Sequence, residues 1–316
     1  MPRRMLPFAV LMMALGVSTC RATSEKESAE RYPQARPPLL NEKAGPCDCD
    51  DLPPLSATIS GRDELPRNTS VGEALTALAR GELNVRRRAA FTLARFSGPR
   101  VVAALLDAAR SDENASVRAG ALFALRRHSK RVRVESFRAA MDDSSCQVRA
   151  AAIELLAEVG VQSAENRAIE AAHDPACNVR EVAARALANS RSRAASRATR
   201  ESLEDPDPRV RSAAAGAAGM QGSVEAVQPL LKLAVDLDAI VRVQAIRALG
   251  RLGDGHVVPI LARAYRCDAN KHVRQAAVEA LGQIGDPAGR PALVQAMHDP
   301  NKEVRQMAAE ALGEIR

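Results

Sequence analysis

At 316 residues and a formal net charge of +7, the chain is long enough for one large domain or two ordinary ones. Aromatic residues make up only 2% of it and Trp is absent, so the core must be built from Ala, Val, Leu and Ile at close helix spacing, which points away from a mixed fold and towards an all-α one. A charge this modest for the length argues against nucleic-acid binding and suits acidic partners or anionic lipid surfaces.

The chain opens with Arg3 and Arg4 ahead of an apolar run from Met5 to Val17. That run is too short to span a bilayer comfortably, and residues 1–19 read as a secretory signal peptide. The run ends in Val17-Ser18-Thr19-Cys20, which resembles the lipobox of bacterial lipoproteins. The resemblance implies acylation of Cys20 and a lipid anchor, although Thr19 stands where that pattern prefers Gly, Ala or Ser. Cleavage after Ala22 would instead release a soluble export product. Either route takes the chain out of the cytoplasm and into the cell envelope, and removal of residues 1–19 discards two arginines and no acid, bringing +7 to +5. Residues 20–66 are rich in Pro, Ser and charged groups without helical period, and read as a disordered tether. If part of that segment is instead a cap packed on the first repeat, Leu52, Leu55 and Leu65 are the residues that would dock.

From residue 67 to residue 316 the dipeptide Val-Arg recurs, at Val85, Val117, Val148, Val179, Val210, Val241, Val273 and Val304, with spacings of 31 or 32 residues. Periods of this size mark stacked supersecondary units that cannot bury their apolar faces alone. Four residues after each Val stands Ala, and eight after it stands Leu in every unit except at Ala218. Positions zero, four and eight share one helical stripe, so a Val/Ala/Leu seam is expected to face inward. Five residues before Val stands Asp in seven units, three times followed by Pro, which reads as an N-cap followed by the first helical residue. A second apolar-periodic segment precedes each Asp, so each unit is a pair of antiparallel helices and there are eight pairs.

Segments such as DPNKEVRQMAAEALGEI resemble HEAT repeats of the short type found in phycobilisome lyases. The resemblance implies an α-solenoid of about eight repeats, with the turn Asp and the Arg after Val forming hydrogen-bonded ladders between successive repeats. Here those positions are Asp112, Asp143, Asp174, Asp205, Asp236, Asp268 and Asp299, with Arg86, Arg118, Arg149, Arg180, Arg211, Arg242, Arg274 and Arg305. These arginines are therefore structural and do not count as a basic binding surface.

Catalytic chemistry finds little support in the residues. Deoxyhypusine hydroxylases carry His-Glu pairs for iron on similar repeats, but none of the five His is followed by Glu. His173 and His298 sit four repeats apart, on the order of 40 Å at helix-packing distances, too far to share a metal ion. Cys146, Cys177 and Cys267 read as helical core or turn cysteines, because adjacent repeats hold equivalent Cα atoms beyond disulfide range. Cys47-Asp-Cys49 lacks a second ligand cluster. The expectation is a protein with no catalytic residues, no metal and no cofactor.

For a binding scaffold the informative positions lie two, six and ten residues after Val, the side of each second helix that lines the concave surface of HEAT arrays. In the first two units these positions place Phe91 and Phe123 among Arg87, Arg95 and Arg127, apolar anchors ringed by charge as a binding hot spot requires. The expected partner is a protein segment that is acidic and partly apolar; the competing reading has the two Phe packing on each other or under the N-terminal segment. The Leu-poor stretch 190–222, with Gly216 and Gly219, is expected to be a soft hinge. The last second helix shows no polar cap, which leaves Met307 and Leu312 to meet a partner or another copy. The alternative class is an enzyme or maturation factor related to phycobilisome lyases or deoxyhypusine hydroxylase.

Overall fold

The computed structural model describes residues 64–160 and 162–315, with the side chains of 162–164 excepted. The expected signal peptide, Cys20 and most of the tether lie outside the described residues. Among these residues there are sixteen α-helices, six short 3-10 turns and no strand. The helices form eight consecutive pairs: α1 (Val71–Arg80) with α2 (Leu83–Leu93), α3 (Pro99–Ser111) with α4 (Ala115–Leu125), α5 (Val134–Phe137) with α6 (Cys146–Val159), α7 (Gln162–Ala171) with α8 (Cys177–Ala186), α9 (Arg193–Ser202) with α10 (Pro208–Gln221), α11 (Val227–Leu233) with α12 (Ala239–Leu252), α13 (Val258–Cys267) with α14 (Lys271–Ile284) and α15 (Arg290–Ala296) with α16 (Lys302–Glu314). This is the all-α solenoid architecture that the repeat implies. The described residues divide into two compact units, the first ending at Val257 and the second beginning at Val258. The first holds six pairs and the second two.

Within the first unit each second helix packs on the next, α2 on α4, α4 on α6, α6 on α8, α8 on α10 and α10 on α12; within the second unit α14 packs on α16 in the same way. The Val/Ala/Leu seam forms this contact. Val117, Val148, Val210 and Val241 are fully buried, as are Ala89, Ala121, Ala152, Ala214 and Ala245, and the seam continues through Val273, Ala277, Val304 and Ala308. Val85 departs from the pattern at 36% exposed, because α2 belongs to the terminal pair and no earlier pair among the described residues covers it.

The turn aspartates do not cap the second helices. Each sits two residues before the true N-cap and its Oδ1 accepts the N–H of that cap residue, as Asp143 does from Ser145 at 2.8 Å and Asp236 from Asp238 at 2.9 Å. Five of the seven caps, Asn114, Asp207, Asp238, Asn270 and Asn301, accept through their side chains from the first turn of the adjoining helix, whereas Ser145 and Ala176 make no side-chain cap bond. Pro175, Pro206 and Pro300 thus precede the caps, and Pro208 is a genuine first helical residue. This Asx turn leaves both carboxylate oxygens able to accept from the repeat before. The guanidinium of Arg118 donates through Nε and Nη2 to Asp143, both at 2.8 Å. Arg86–Asp112, Arg149–Asp174, Arg180–Asp205 and Arg211–Asp236 repeat the bidentate bridge in the first unit, and Arg274–Asp299 makes it in the second. The remaining Nη1 of each arginine donates to carbonyls of its own turn, as Arg180 does to Asp174 and Pro175, both at 2.9 Å. Burial on its own would raise the Asp143 carboxyl, but the hydrogen bonds from Arg118 and from the Ser145 N–H more than offset it and hold the group below the ordinary carboxylate range. Asp299 is lowered against burial in the same way by Arg274 and the Asn301 N–H.

Residues 190–222 do not mark the boundary between units, and they pack through small residues and polar contacts, Ser190 and Ser192 both donating to the Glu165 carboxylate. Leu203, Ala195 and Ala198 are buried. Buried Gln221 donates from Nε2 to the Leu187 carbonyl and to Thr199 Oγ1, both at 2.9 Å. Gly219 is required by close approach: a Cβ there would stand 2.8 Å from Ala248 Cα on α12. Gly282 stands in the same relation to Ala311, with a Cβ contact of 2.8 Å. The cysteines also differ from expectation, since Cys146, Cys177 and Cys267 are each disulfide-bonded and no described cysteine is free.

One titratable side chain is buried in the first unit without an ionic partner. His128, 7% exposed in the 3-10 turn Arg126–Arg131, leaves its Nε2 buried without a hydrogen-bond partner among the described residues. Burial pushes its pKa below the ordinary imidazole value, against the opposing hydrogen bond to the Leu93 backbone, and nearby Arg131 adds to the lowering.

Three outcomes are expected in urea unfolding. Asp205→Ala, which strands Arg180 in a bridge whose side chains are 10% and 8% exposed, costs about 3–5 kcal/mol, whereas Arg197→Ala, which removes an exposed pair with Glu201, costs about 0.5 kcal/mol or less. Gly219→Ala lowers stability by about 1–3 kcal/mol through overpacking, whereas Gly216→Ala, where the nearest neighbour is Gln244 Oε1 at 3.8 Å, raises it by up to about 1 kcal/mol. Because the folded state keeps His128 neutral, the unfolded chain protonates first as pH falls below about 6.5, so stability declines from there down to the lowered folded value. His128→Gln removes that slope, while the loss that comes from the ladder aspartates persists at lower pH.

Candidate binding cleft

The side chains singled out on the first two repeats converge in part. Phe91 lies on α2 and Phe123 on α4, each six residues after its repeat Val, so stacking of the two helices brings equivalent positions side by side. Their ring centroids are 6.0 Å apart at 64°, an edge-to-face contact. Gly120 faces the Phe91 ring, and a Cβ there would meet Cζ at 3.4 Å, ordinary van der Waals contact. Phe91 is only 6% exposed and Phe123 is half-buried, so the first ring is the floor of the site and the second its accessible wall. Ala119, two residues after its Val, is also fully buried. Positions two, six and ten are therefore not a uniformly exposed stripe, because each second helix is covered on that side by the next one.

A cleft of about 460 Å³ opens over the two rings, lined by Glu64, Phe91, Ala94, Arg95, Phe123, Arg126, Arg127 and Glu158. Four of the five expected residues line it. Arg87, half-buried on α2, does not. Arg95 is engaged by Glu64 at 3.0 Å. Arg127, exposed at the rim, has no ion pair among the described residues. The site thus offers one uncommitted cation beside an aromatic wall.

Three lining residues, Arg126, Glu64 and Ala94, fall outside the positions that the repeat pattern singles out. Arg126 places its Cζ 5.4 Å from the Phe123 centroid, a cation–π contact, and donates to Glu154 at 3.0 Å and Glu158 at 2.9 Å. It stiffens the aromatic wall and ties it to α6. A signal for it was present: nine residues after Val every other repeat carries Gly or Ala, so a large cation at that register is an outlier. Glu64, the second, belongs to the segment assigned to the tether, and its pairing across 31 residues with Arg95 leaves no periodic trace. A larger cleft of about 570 Å³ beside α1 and α3 is lined by Arg86 and Asp112, which are consumed by their mutual bridge. Among the described residues no cluster of three His, Cys, Asp or Glu side chains is placed to hold a metal ion, and no helix is long and apolar enough to cross a membrane.

Comparison with known proteins places this geometry in a family. Residues 85–111 match the PBS lyase HEAT-like repeat. Among solved structures, YibA of E. coli superposes with a TM-score of 0.60 at 23% identity, covering 78% of this chain and 93% of that one. Kap95p, solved bound to RanGDP, gives a TM-score of 0.53 at 18% identity over 78% of this chain and 39% of its own. The CpcE–CpcF complex of phycocyanin lyase from Nostoc is 16% identical over 80% of this chain and 97% of that one, with a TM-score of 0.41, too low to carry an argument. No curated protein matches. At these identities the structural likenesses speak to fold alone. The HEAT-repeat family model, however, matches residues 134–198, 165–242 and 229–313, together more than half of the chain, and the protein belongs to the HEAT-repeat family.

Proposed function

We propose that this protein is a non-catalytic scaffold of the cell envelope that holds a partner protein by an acidic, partly apolar segment in the Phe91–Phe123 cleft. The observation that carries the reading is the pairing of an accessible aromatic wall, Phe123, with the unpaired Arg127 at the rim of a preformed cleft. An apolar anchor site flanked by a charge with no internal partner is the composition of a binding hot spot. That Kap95p, of similar fold, is solved bound to another protein fits the reading. Export and the lipid anchor at Cys20 rest on Arg3, Arg4, the apolar run to Val17 and the lipobox-like Val17–Cys20. Self-association through Met307 and Leu312 of α16 is part of the same proposal, and both residues are half-buried there.

An enzyme of the lyase or hydroxylase kind is the competing class. Metal analysis and an absorption spectrum of the purified protein separate the two, since bound iron or a chromophore would overturn the scaffold reading. The direct test places a photo-reactive phenylalanine analogue at Phe123 in the exported protein. Capture of a discrete protein through a segment bearing acidic and aliphatic residues is expected, reduced at least about tenfold by Arg127→Glu, the loss of one charge-assisted contact at roughly 1.4 kcal/mol per decade. Capture that is insensitive to Arg127 would sink the site assignment.

A further inference from the structure

Residues 64–67 lie along α2 in the manner of a bound peptide. The Glu64 carbonyl accepts from Arg88 Nε at 3.0 Å and Nη2 at 2.7 Å. The Leu65 N–H donates to Thr92 Oγ1 at 2.8 Å. The Arg67 carbonyl accepts from Arg95 Nη2 at 3.1 Å, while Arg95 Nη1 holds the Glu64 carboxylate at 3.0 Å. Arg88 and Thr92 fall at i and i+4, one face of α2, and Arg95 follows in the turn just past the helix end. Apart from the Glu64 carboxylate, every one of these bonds is made to main chain, which any peptide of the same backbone course supplies. The side chains read are the Glu64 carboxylate and Leu65, which packs on the core only partly buried. Pro66 comes next and brings no N–H that would need an acceptor.

Glu64 stands at the edge of the cleft. Glu64 forms one wall of it, and beyond lie Phe123 and the unpaired Arg127, which residues 64–67 leave unused. An external chain of the same chemistry that extends across the cleft gains both. We infer that residues 64–67 are a resident competitor for the binding face, and that the partner segment is an acid–aliphatic–proline peptide that displaces them. This inference rests on the scaffold reading of the cleft and specifies its ligand. A segment joined by a few residues to α1 acts at an effective concentration in the millimolar range, so it reduces the apparent affinity of any competitor in proportion to the fraction of time it is docked.

The experiment compares the full chain with its Glu64→Ala/Leu65→Ala variant, using as probe a fluorescent peptide copying residues 62–69. The peptide is expected to bind the variant at least about tenfold more tightly than the parent, and adding Arg95→Ala to the variant, or replacing Glu and Leu in the peptide by Ala, should remove that gain. Equal affinity for the two chains, or no binding to a variant whose circular dichroism is unchanged, overturns the inference. Should the double variant unfold, Glu64→Gln, which keeps Leu65 and every main-chain bond, must show a smaller gain of the same sign; no gain overturns the inference. The photo-reactive analogue at Phe123 separates the two levels. Partner capture equal in parent and variant leaves the scaffold reading standing and removes the competitor, whereas absence of capture in both removes the scaffold reading itself.

Discussion

The bidentate bridge from an arginine of one repeat to the turn aspartate of the next is the constraint on which the rest of the structure depends. A helix pair of this size has too little apolar side chain to be stable alone, and its Ala-rich seam works only at a narrow range of helix separations. The bridge sets that separation. It reads both carboxylate oxygens while the third guanidinium nitrogen fastens the carbonyls of the arginine's own turn, so a single side chain fixes a turn internally and against its neighbour. Because the aspartate also accepts the N–H two residues on, its orientation is set before the arginine arrives.

With the repeats held in register, small residues become necessary. Gly219 meets Ala248 and Gly282 meets Ala311 at distances that admit no Cβ, and the buried alanines of the seam are the least bulky side chains that still exclude water. Glycine here results from the closeness of approach, and its cost in helix propensity is offset by the packing it permits. Where apolar side chains run short, between Ser190 and Gly222, a buried glutamine bridging two helices supplies the cohesion.

The cleft is set apart because the first two repeats carry aromatic rings, Phe91 and Phe123, where every later unit carries a charged residue or, at Gly216, glycine. Arg126 then covers the second ring while neutralised by Glu154 and Glu158, which leaves Arg127 as the cation without an internal duty. Residues 64–67 complete the arrangement, since they engage Arg88, Thr92 and Arg95 next to the apolar wall and make no contact of their own with Arg127.

The period of 31 or 32 residues, the Val/Ala/Leu stripe and the fixed Asp–Arg pairing by themselves determined the fold class, the number of helix pairs and the structural role of the repeated arginines, because a repeat writes its contacts at constant offsets. The same regularity brought Phe91 together with Phe123, Arg95 and Arg127. Only the tertiary structure decided that the turn aspartate precedes the cap instead of forming it, that Phe91 is floor and Phe123 is wall, that Arg87 does not line the cleft and that Cys146, Cys177 and Cys267 are oxidised. It alone placed Glu64 on Arg95. Each of these is settled by which neighbour arrives first at a given atom, and contacts of that kind, made once and outside the repeat, leave no periodic signal to read.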